Sequence, residues 1–333
     1  VDTQKLQKDS GSEKVGVEIV SIGELLVEIM REKVDQPLGV AGTFDGPFAS
    51  GAPAIFIDAV ARLGVNCGFI GTVGKDDFGR LIVERLKRDG VDTTYIRSLS
   101  DYTTGVAFVT YFSDGSRKFI YHLPRAASGK IYEDQVDSDY LSKVKYLHLM
   151  GSSLSINEEC RKICYKAARV VKDGGGKISF DPNLRPELLG IEKIREISEP
   201  ILSSCEVVLP SGEEAKMLAG TQDAEEASQK LLEYGPKIIA LKRGKEGSWI
   251  FTAKDKIKVP SFPVKEIDPT GAGDCFDAGF VVGLLKGWPL EKAARFANAV
   301  GALAVTKKGP MEGAPTLEEV NRLLKDSGAC QII

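Results

Sequence analysis

Seven residues near the C-terminal end, Asp268-Pro269-Thr270-Gly271-Ala272-Gly273-Asp274, carry the strongest chemical signal in the 333-residue chain. They lie between a β-like segment, Ile257 to Val264, and an apolar helical run, Cys275 to Lys286, whose small residues Ala278, Gly279 and Gly283 permit close packing. That spacing predicts a helix N-terminus at Gly271, Ala272 and Gly273. Unpaired backbone N–H groups there carry partial positive charge and can hold an anion such as a phosphoryl group. Glycine lets the backbone approach that anion with no Cβ in the way. A carboxylate on the same turn opposes anion binding unless it has a task, and taking a proton from an attacking hydroxyl is such a task. Asp274 is therefore the candidate general base, with Gly271, Ala272 and Gly273 as its anion hole. A short GxGD alone leaves a second reading open, in which Asp274 merely caps the helix.

The elements that must position this turn alternate as strand and helix. Val17 to Ile22 is a β-rich run ending in Gly23-Glu24, and Leu25 to Met30 continues it; Glu28 there either enters a cleft from the strand edge or is a solvated charge on an alternating strand. Residues 31 to 49, rich in Gly, Pro and Asp, read as a flap. Ser50 to Ala54 opens a helix through Gly64 with Ile55, Ala59 and Leu63 on one stripe. Cys67 to Thr72 is a buried strand, and the helix Arg80 to Asp89 closes on Gly90. Val106 to Phe112 and Lys118 to Tyr121 alternate around a turn at Ser113 to Ser116, as a hairpin does. From Val144 the rhythm resumes: strand Lys145 to Met150, helix Asn157 to Lys172, strand Lys177 to Asp181, strand Glu206 to Leu209, helices Gly212 to Leu218 and Ala224 to Tyr234, strand Lys237 to Leu241. Polar or glycine-bearing loops follow the strands, where parallel α/β sheets bind ligands. The expected division is a flexible tail, 1–16; a core of 17–28, 50–102 and 122–325; and a β lid of 29–49 and 103–121.

With 43% apolar and 27% charged residues, composition is that of an ordinary globular chain. A net charge of -3 leaves no basic footprint for nucleic acid, and no apolar run is long enough for a membrane span. Neither partner is expected. Six cysteines, Cys67, Cys160, Cys164, Cys205, Cys275 and Cys330, show no CxxC pair or disulfide framework, so a reducing cytoplasm is expected. His148 sits in an apolar strand as a core residue, and with His122 it completes the histidines, so histidine-based catalysis starts weak.

The ordered motifs from Val17 to Leu324 resemble the PfkB, or ribokinase-like, family of carbohydrate kinases, whose C-terminal signature is D-x-T-G-A-G-D. The resemblance implies a three-layer α/β/α fold with a mainly parallel central sheet and a small β lid. It also implies ATP-dependent transfer of a phosphoryl group to a primary hydroxyl of a small sugar. The family's first signature, a Gly-Gly pair followed by a small residue and an Asn, is similar to Ser50 to Ile55, with Ile55 in place of the Asn; Glu28 stands where many members carry a sugar-binding Asp. The sugar contacts so implied are Glu28, Gly51, Ala52, Tyr121, His122, Arg185 and Asp274. Asp181-Pro182-Asn183-Leu184-Arg185 is similar to a segment of fructokinases and 2-keto-3-deoxygluconate kinases, and Arg185 is open between phosphate, a substrate carboxylate and a structural ion pair. Asn183, Ser211, Lys242, Gly244, Gly247 and Asn298 correspond to nucleotide contacts. Ser211 and Glu214 match an Asn-x-x-Glu pattern that organises Mg²⁺ through water, with Ser in place of Asn. Asp268 and Thr270, with carbonyls near Ala304, Lys307, Gly309 and Gly313, resemble a monovalent-cation site that takes K⁺.

Within the family, SGAPAIFIDAVARLG and GPMEG look most like tagatose and related ketose kinases, so a ketohexose is the expected substrate. A 2-keto-3-deoxygluconate kinase is the alternative. Its Tyr-Arg sugar contact falls at Tyr121-His122 here, leaving Arg185 as the cation for an acid sugar unless Arg117 or Arg125 reaches in from the lid. Weaker alternatives are a ribokinase or nucleoside kinase and a non-catalytic sugar-binding pseudokinase. A nicotinamide dehydrogenase is disfavoured because no GxGxxG follows the first strand. Exposed lid strands are expected to pair two copies as a homodimer.

Overall fold

The computed structural model describes residues 16–186 and 188–328. Nearly all of the expected N-terminal tail and Cys330 lie outside the described residues.

Strands β1 (Ile19–Ile22), β4 (Cys67–Gly74), β5 (Ile96–Leu99), β8 (Tyr146–Met150), β9 (Lys177–Asp181), β10 (Val207–Val208), β11 (Ile238–Lys242), β12 (Ser248–Phe251) and β13 (Lys256–Val259) form one large sheet. Its order is β13-β12-β11-β10-β9-β8-β1-β4-β5. All pairings from β11 to β5 are parallel; β12 and β13 add an antiparallel edge. Such strands are covered on both faces, so their side chains divide by parity. Ile19 and Phe69 pack with α1 (Ala52–Arg62), α2 (Asp77–Asp89), α9 (Ala272–Leu285), α10 (Leu290–Ala304) and α11 (Leu317–Asp326). Their neighbours Val20 and Ile70 pack on the other side, with α3 (Ser138–Leu141), α4 (Gly151–Ile156), α5 (Glu158–Asp173), α6 (Ile191–Leu202), α7 (Gly212–Ala219) and α8 (Ala224–Glu233). The result is a three-layer α/β/α core. From β1 the chain moves outward to β4 and β5, then returns through β8 on β1's other side. That reversal opens a crevice at the strands' carboxyl ends.

Strands β2 (Leu26–Arg31), β3 (Phe44–Ser50), β6 (Gly105–Tyr111) and β7 (Arg117–His122) form a separate small sheet in the order β3-β2-β6-β7. This corrects one expectation: Leu25 to Met30 does not continue β1, and the division drawn between residues 28 and 29 cuts through β2. Both runs are apolar and buried, so periodicity could not show that the chain changes sheets at Gly23-Glu24. Register aligns Glu28 with Ala107 and Ala107 with Tyr121, while Tyr111 faces Arg117. Glu28, Tyr111, Arg117, Phe119 and Tyr121 therefore share the face toward the core. Phe108, Ile120 and His122 share the opposite one.

Behind the Asp268–Asp274 turn, Arg85 of α2 binds Asp58 of α1 (3.0 Å), Asp89 (2.6 Å), Glu312 (3.1 Å) and the Met311 carbonyl (2.8 Å). This network clamps residues 311–312 against α1 and α2, next to Pro310, whose carbonyl backs Gly271. Asp58 is fully buried. Arg85→Met keeps much of the side-chain volume but leaves Asp58 without its cation, so unfolding in denaturant should show a loss of about 3–5 kcal/mol. A loss under about 1 kcal/mol would show that the network is dispensable.

Candidate active site

The carboxyl ends of β1, β8, β9, β10 and β11 deliver Glu24, Ser152, Asp181, Ser211 and Lys242 to one cavity of about 330 Å³, roofed by the small sheet. A second cavity of about 610 Å³ adjoins it, with Phe262, Val264, Phe276, Asn298 and Ala302 among its walls. Both volumes suit small organic ligands. Lys242, Gly244, Pro269 and Gly273 line both cavities. The turn before α9 thus forms the passage between a polar chamber and a more apolar one.

Gly271 is the N-cap of α9 in the left-handed conformation, φ 79°. A Cβ there would lie 2.3 Å from the Pro310 carbonyl oxygen, so the protein itself demands this glycine. At Gly273 a Cβ would meet nothing nearer than Lys242 Nζ at 3.6 Å. The room left there opens toward both cavities. The first intrahelical bond is donated by Cys275 N–H to the Gly271 carbonyl, so the Gly273 and Asp274 amides precede it and remain for an anion.

Asp274 lines the polar cavity and is 8% exposed. Burial, reinforced by the Asp181 carboxylate, pushes its pKa up to about 7 against the pull of Lys242 and Arg185. Lys242 Nζ donates to Asp181 (3.0 Å) and to both oxygens of Asp277 (3.2 and 3.1 Å). Burial works against the ammonium, but the two carboxylates outweigh it and raise its pKa. Asp277 is itself raised by burial, whereas Asp181 is lowered because Lys242 and Asp277 overcome its burial. In Glu28, burial pushes the carboxyl up to about 7, opposed by the Ser50 hydroxyl, which donates to Oε2 at 3.1 Å, and by Arg117. Its Oε1 is buried without a hydrogen-bond partner among the described residues. Glu24 is raised by burial against hydrogen bonds from Ser153 (2.5 Å) and Ser152 (2.7 Å). His148 is buried against Phe56, and burial lowers its pKa to about 3, so it stays neutral in the core.

Of the residues named from sequence, Glu28, Gly51, Ala52, Tyr121, Asn183, Arg185, Ser211, Glu214, Lys242, Gly244, Thr270, Gly271, Gly273 and Asp274 line the polar cavity. Gly247, Ala272 and Asn298 line the second, where Asn298 Nδ2 donates to the Val259 and Pro260 carbonyls and fixes the wall. His122 lines neither. Strand alternation sends it to the far face of the small sheet, edge-on to Phe108, which corrects its assignment as a sugar contact. The same alternation puts Arg117 and Phe119 beside Tyr121 in the cavity, so Arg185 is not its sole guanidinium. Reading 117, 119 and 121 as one face would have found them. Glu24, Ser152 and Asp277 were also missed; Asp277 had a signal, lying three positions after Asp274 on a helix.

Two ion sites can be tested against the residues. Beside Glu214, whose oxygens accept the Ser211 and Leu184 amides, the buried Asn183 Oδ1 has no partner among the described residues. A hydrated Mg²⁺, which needs few protein ligands, fits this set. Asp268 Oδ1 accepts the Thr270 amide (3.0 Å) and Oδ2 the Gly309 amide (2.9 Å), drawing the 309–313 segment to the turn. There Gly313 approaches the Ala304 carbonyl so closely that a Cβ would come within 1.8 Å of its oxygen. The Asp268 carboxylate and the Ala304 carbonyl are hard oxygen donors, the ligand chemistry that a cation such as K⁺ takes.

The family model for pfkB family carbohydrate kinase matches residues 18–317. A probable fructokinase-5 of Arabidopsis thaliana is 32% identical over 92% of this chain and 97% of its own. A 5-dehydro-2-deoxygluconokinase of Geobacillus thermodenitrificans is 28% identical over 94% of each. A crystal structure from E. coli, named for ribokinase and in complex with ATP and Mg²⁺, superposes with a TM-score of 0.87 at 42% identity, covering 93% of this chain and 99% of that one.

The two glycines of the turn should separate in a melting experiment. Gly271→Ala forces a left-handed alanine against Pro310 and should cost on the order of 2 kcal/mol. Gly273→Ala meets no clash and should leave the melting temperature unchanged or higher. Equal destabilisation of both would contradict the packing difference.

Proposed function

The chain belongs to the pfkB family of carbohydrate kinases and is an ATP-dependent sugar kinase; from that premise we propose that it phosphorylates a primary hydroxyl of a neutral ketohexose. The observation that carries the reading is Asp274, which lines the polar cavity directly after Gly273, a residue of both cavities, and beside free amides of the α9 N-terminus. In this reading the sugar occupies the polar cavity and ATP the second one. Asp274 takes the hydroxyl proton as the sugar oxygen bonds to the γ-phosphorus and the bond to ADP breaks. The Gly273 and Asp274 amides, with Arg185, receive charge on the transferring group. Asn183 and Glu214 would hold Mg²⁺ through water, and the ion when bound would supply positive charge to the transferring phosphoryl group. The unpartnered Glu28 Oε1 accepts a sugar hydroxyl, and the small sheet excludes water. Asp268 and Thr270 would hold K⁺, whose charge would steady the turn.

A sugar acid is the second reading, favoured by Arg117 in the cavity. The neutral sugar is preferred because Arg117 already acts on Glu28, so an incoming carboxylate would compete with a buried acid for that charge. For assembly, the outer face of the small sheet exposes Phe44 (40%) and Ile120 (44%), and we assign it to contact with a second copy. Sedimentation of wild type and Ile120→Lys tests this, since a monomeric wild type removes it. Five described cysteines, all buried and unpaired, support a cytoplasmic setting, which cell fractionation can check.

Asp274 must be ionised to act, so kcat/KM should rise about tenfold per pH unit below about 7 and level off above it. Asp274→Asn should lower kcat on the order of 10²-fold or more and remove that limb. Near-normal turnover by this variant would sink the assignment. In a coupled ADP-release assay the best ketohexose should exceed 2-keto-3-deoxygluconate at least about tenfold in kcat/KM, roughly 1.4 kcal/mol. The reverse order would establish the acid reading. Rates should be higher in K⁺ than in a bulky organic cation at equal ionic strength; equal rates would remove the K⁺ assignment.

A further inference from the structure

Tyr111 ends β6 on the core-facing side of the small sheet, in register with Arg117. Its backbone carbonyl accepts the Asp35 amide (2.9 Å), which ties the strand end to the loop after β2. Its hydroxyl shares a hydrogen bond with Thr270 Oγ1 (2.6 Å) and donates to Asp268 Oδ1 (3.3 Å). The same Asp268 oxygen accepts the Thr270 amide, and Thr270 directly precedes Gly271. Asp268 and Thr270 are both buried, so few waters are at hand to replace the phenol. One hydroxyl on the roof therefore reaches the two side chains that shape the anion-binding turn.

We propose that Tyr111 is a positioning residue for phosphoryl transfer, whose hydroxyl couples the placement of the small sheet to the conformation of the Asp268–Asp274 turn. The inference rests on the kinase reading for its consequence but on these contacts for its existence. When the roof is seated, the hydroxyl holds Thr270 and Asp268, and the following amides keep one direction. When it lifts, the turn loses a partner on each of those two side chains. Amides that point correctly only under a seated roof would restrict phosphoryl transfer to the covered site, where a sugar hydroxyl rather than water is the acceptor. Tyr111 itself need touch neither substrate.

Tyr111→Phe preserves the ring and removes the hydroxyl, and hydrogen exchange on the full chain without ligands reads the result. Exchange should accelerate several-fold in residues 268–274 as well as 105–122, with α5 unchanged. Steady-state kinetics should show kcat lower by about fivefold, a single neutral hydrogen bond's share, with KM for ATP within about twofold. On a Thr270→Val background Tyr111→Phe should cost less than it does in the wild type, since one of the hydroxyl's two partners is already gone. Unaltered exchange at 268–274, acceleration confined to 105–122 or spread evenly through α5, or fully additive kinetic losses would each overturn the proposal. A wild-type chain inactive on every sugar would instead refute the kinase reading, while the exchange result would still decide the coupling.

Discussion

The site depends on keeping a carboxylate buried against a turn whose amides are aimed at an anion. Asp274 is disfavoured as an ion by desolvation and by Asp181, and favoured by Lys242 and Arg185. The balance leaves it near neutrality, where a base can both lose and gain a proton. Lys242 makes that balance achievable. Held by Asp181 and Asp277 from two other elements, it is a fixed charge rather than a mobile one, and it tempers a crowded set of acids. Without it, Asp181, Asp274 and Asp277 would compete for protons in a low-dielectric space.

Much of the fold was legible because parallel strands announce themselves as short apolar runs between helices. The strand Lys177 to Asp181 falls where its residues indicate, as does the end of the helix that closes on Gly90, although that helix starts at Asp77 rather than Arg80. The heptad was legible for a similar reason: a glycine-rich helix start is a local structure, complete within seven residues. Global features were not. Lys242 lies 61 residues from Asp181 and 35 from Asp277, and no spacing rule links strand ends to a helix face at those separations. The departure of β2 from the large sheet was equally invisible, since burial alone does not say which sheet buries a strand. The edge strand β12, and α6 with Pro200 in its last turn, also passed unnoticed, whereas β13 lies in the β-like segment read from Ile257 but ends at Val259 rather than Val264. His122 failed for a different reason. It was placed by matching a neighbouring motif, whereas a strand assigns faces by parity.

The small sheet does two jobs with two faces. Its inner face carries Glu28, Arg117, Phe119 and Tyr121 over the polar cavity, so it helps define what can be bound there. Its outer face is apolar at Phe44, Phe108 and Ile120, and Arg31 lies over the Phe44 ring. In the described structure the sheet is also tied to the core near the C-terminal segment, through Lys308 with Asp45 and the approach of Phe48 to Gly309. Recognition and closure therefore reside in one element.

The β6–β7 hairpin sets a rule for how such a chain can diverge. Its turn, Phe112 to Ser116, is exposed at its centre and closed by the Gly115 amide on the Phe112 carbonyl, so its composition can vary apart from Gly115, whose φ of 83° favours glycine, and Asp114, which accepts the Ser116 amide. Its length is not free. One residue gained or lost there would shift β7 by a position, sending Arg117, Phe119 and Tyr121 outward and bringing Lys118, Ile120 and His122 over the cavity. Homologous hairpins that keep this chemistry should therefore vary in turn sequence while changing length in even steps, or by a bulge that restores parity.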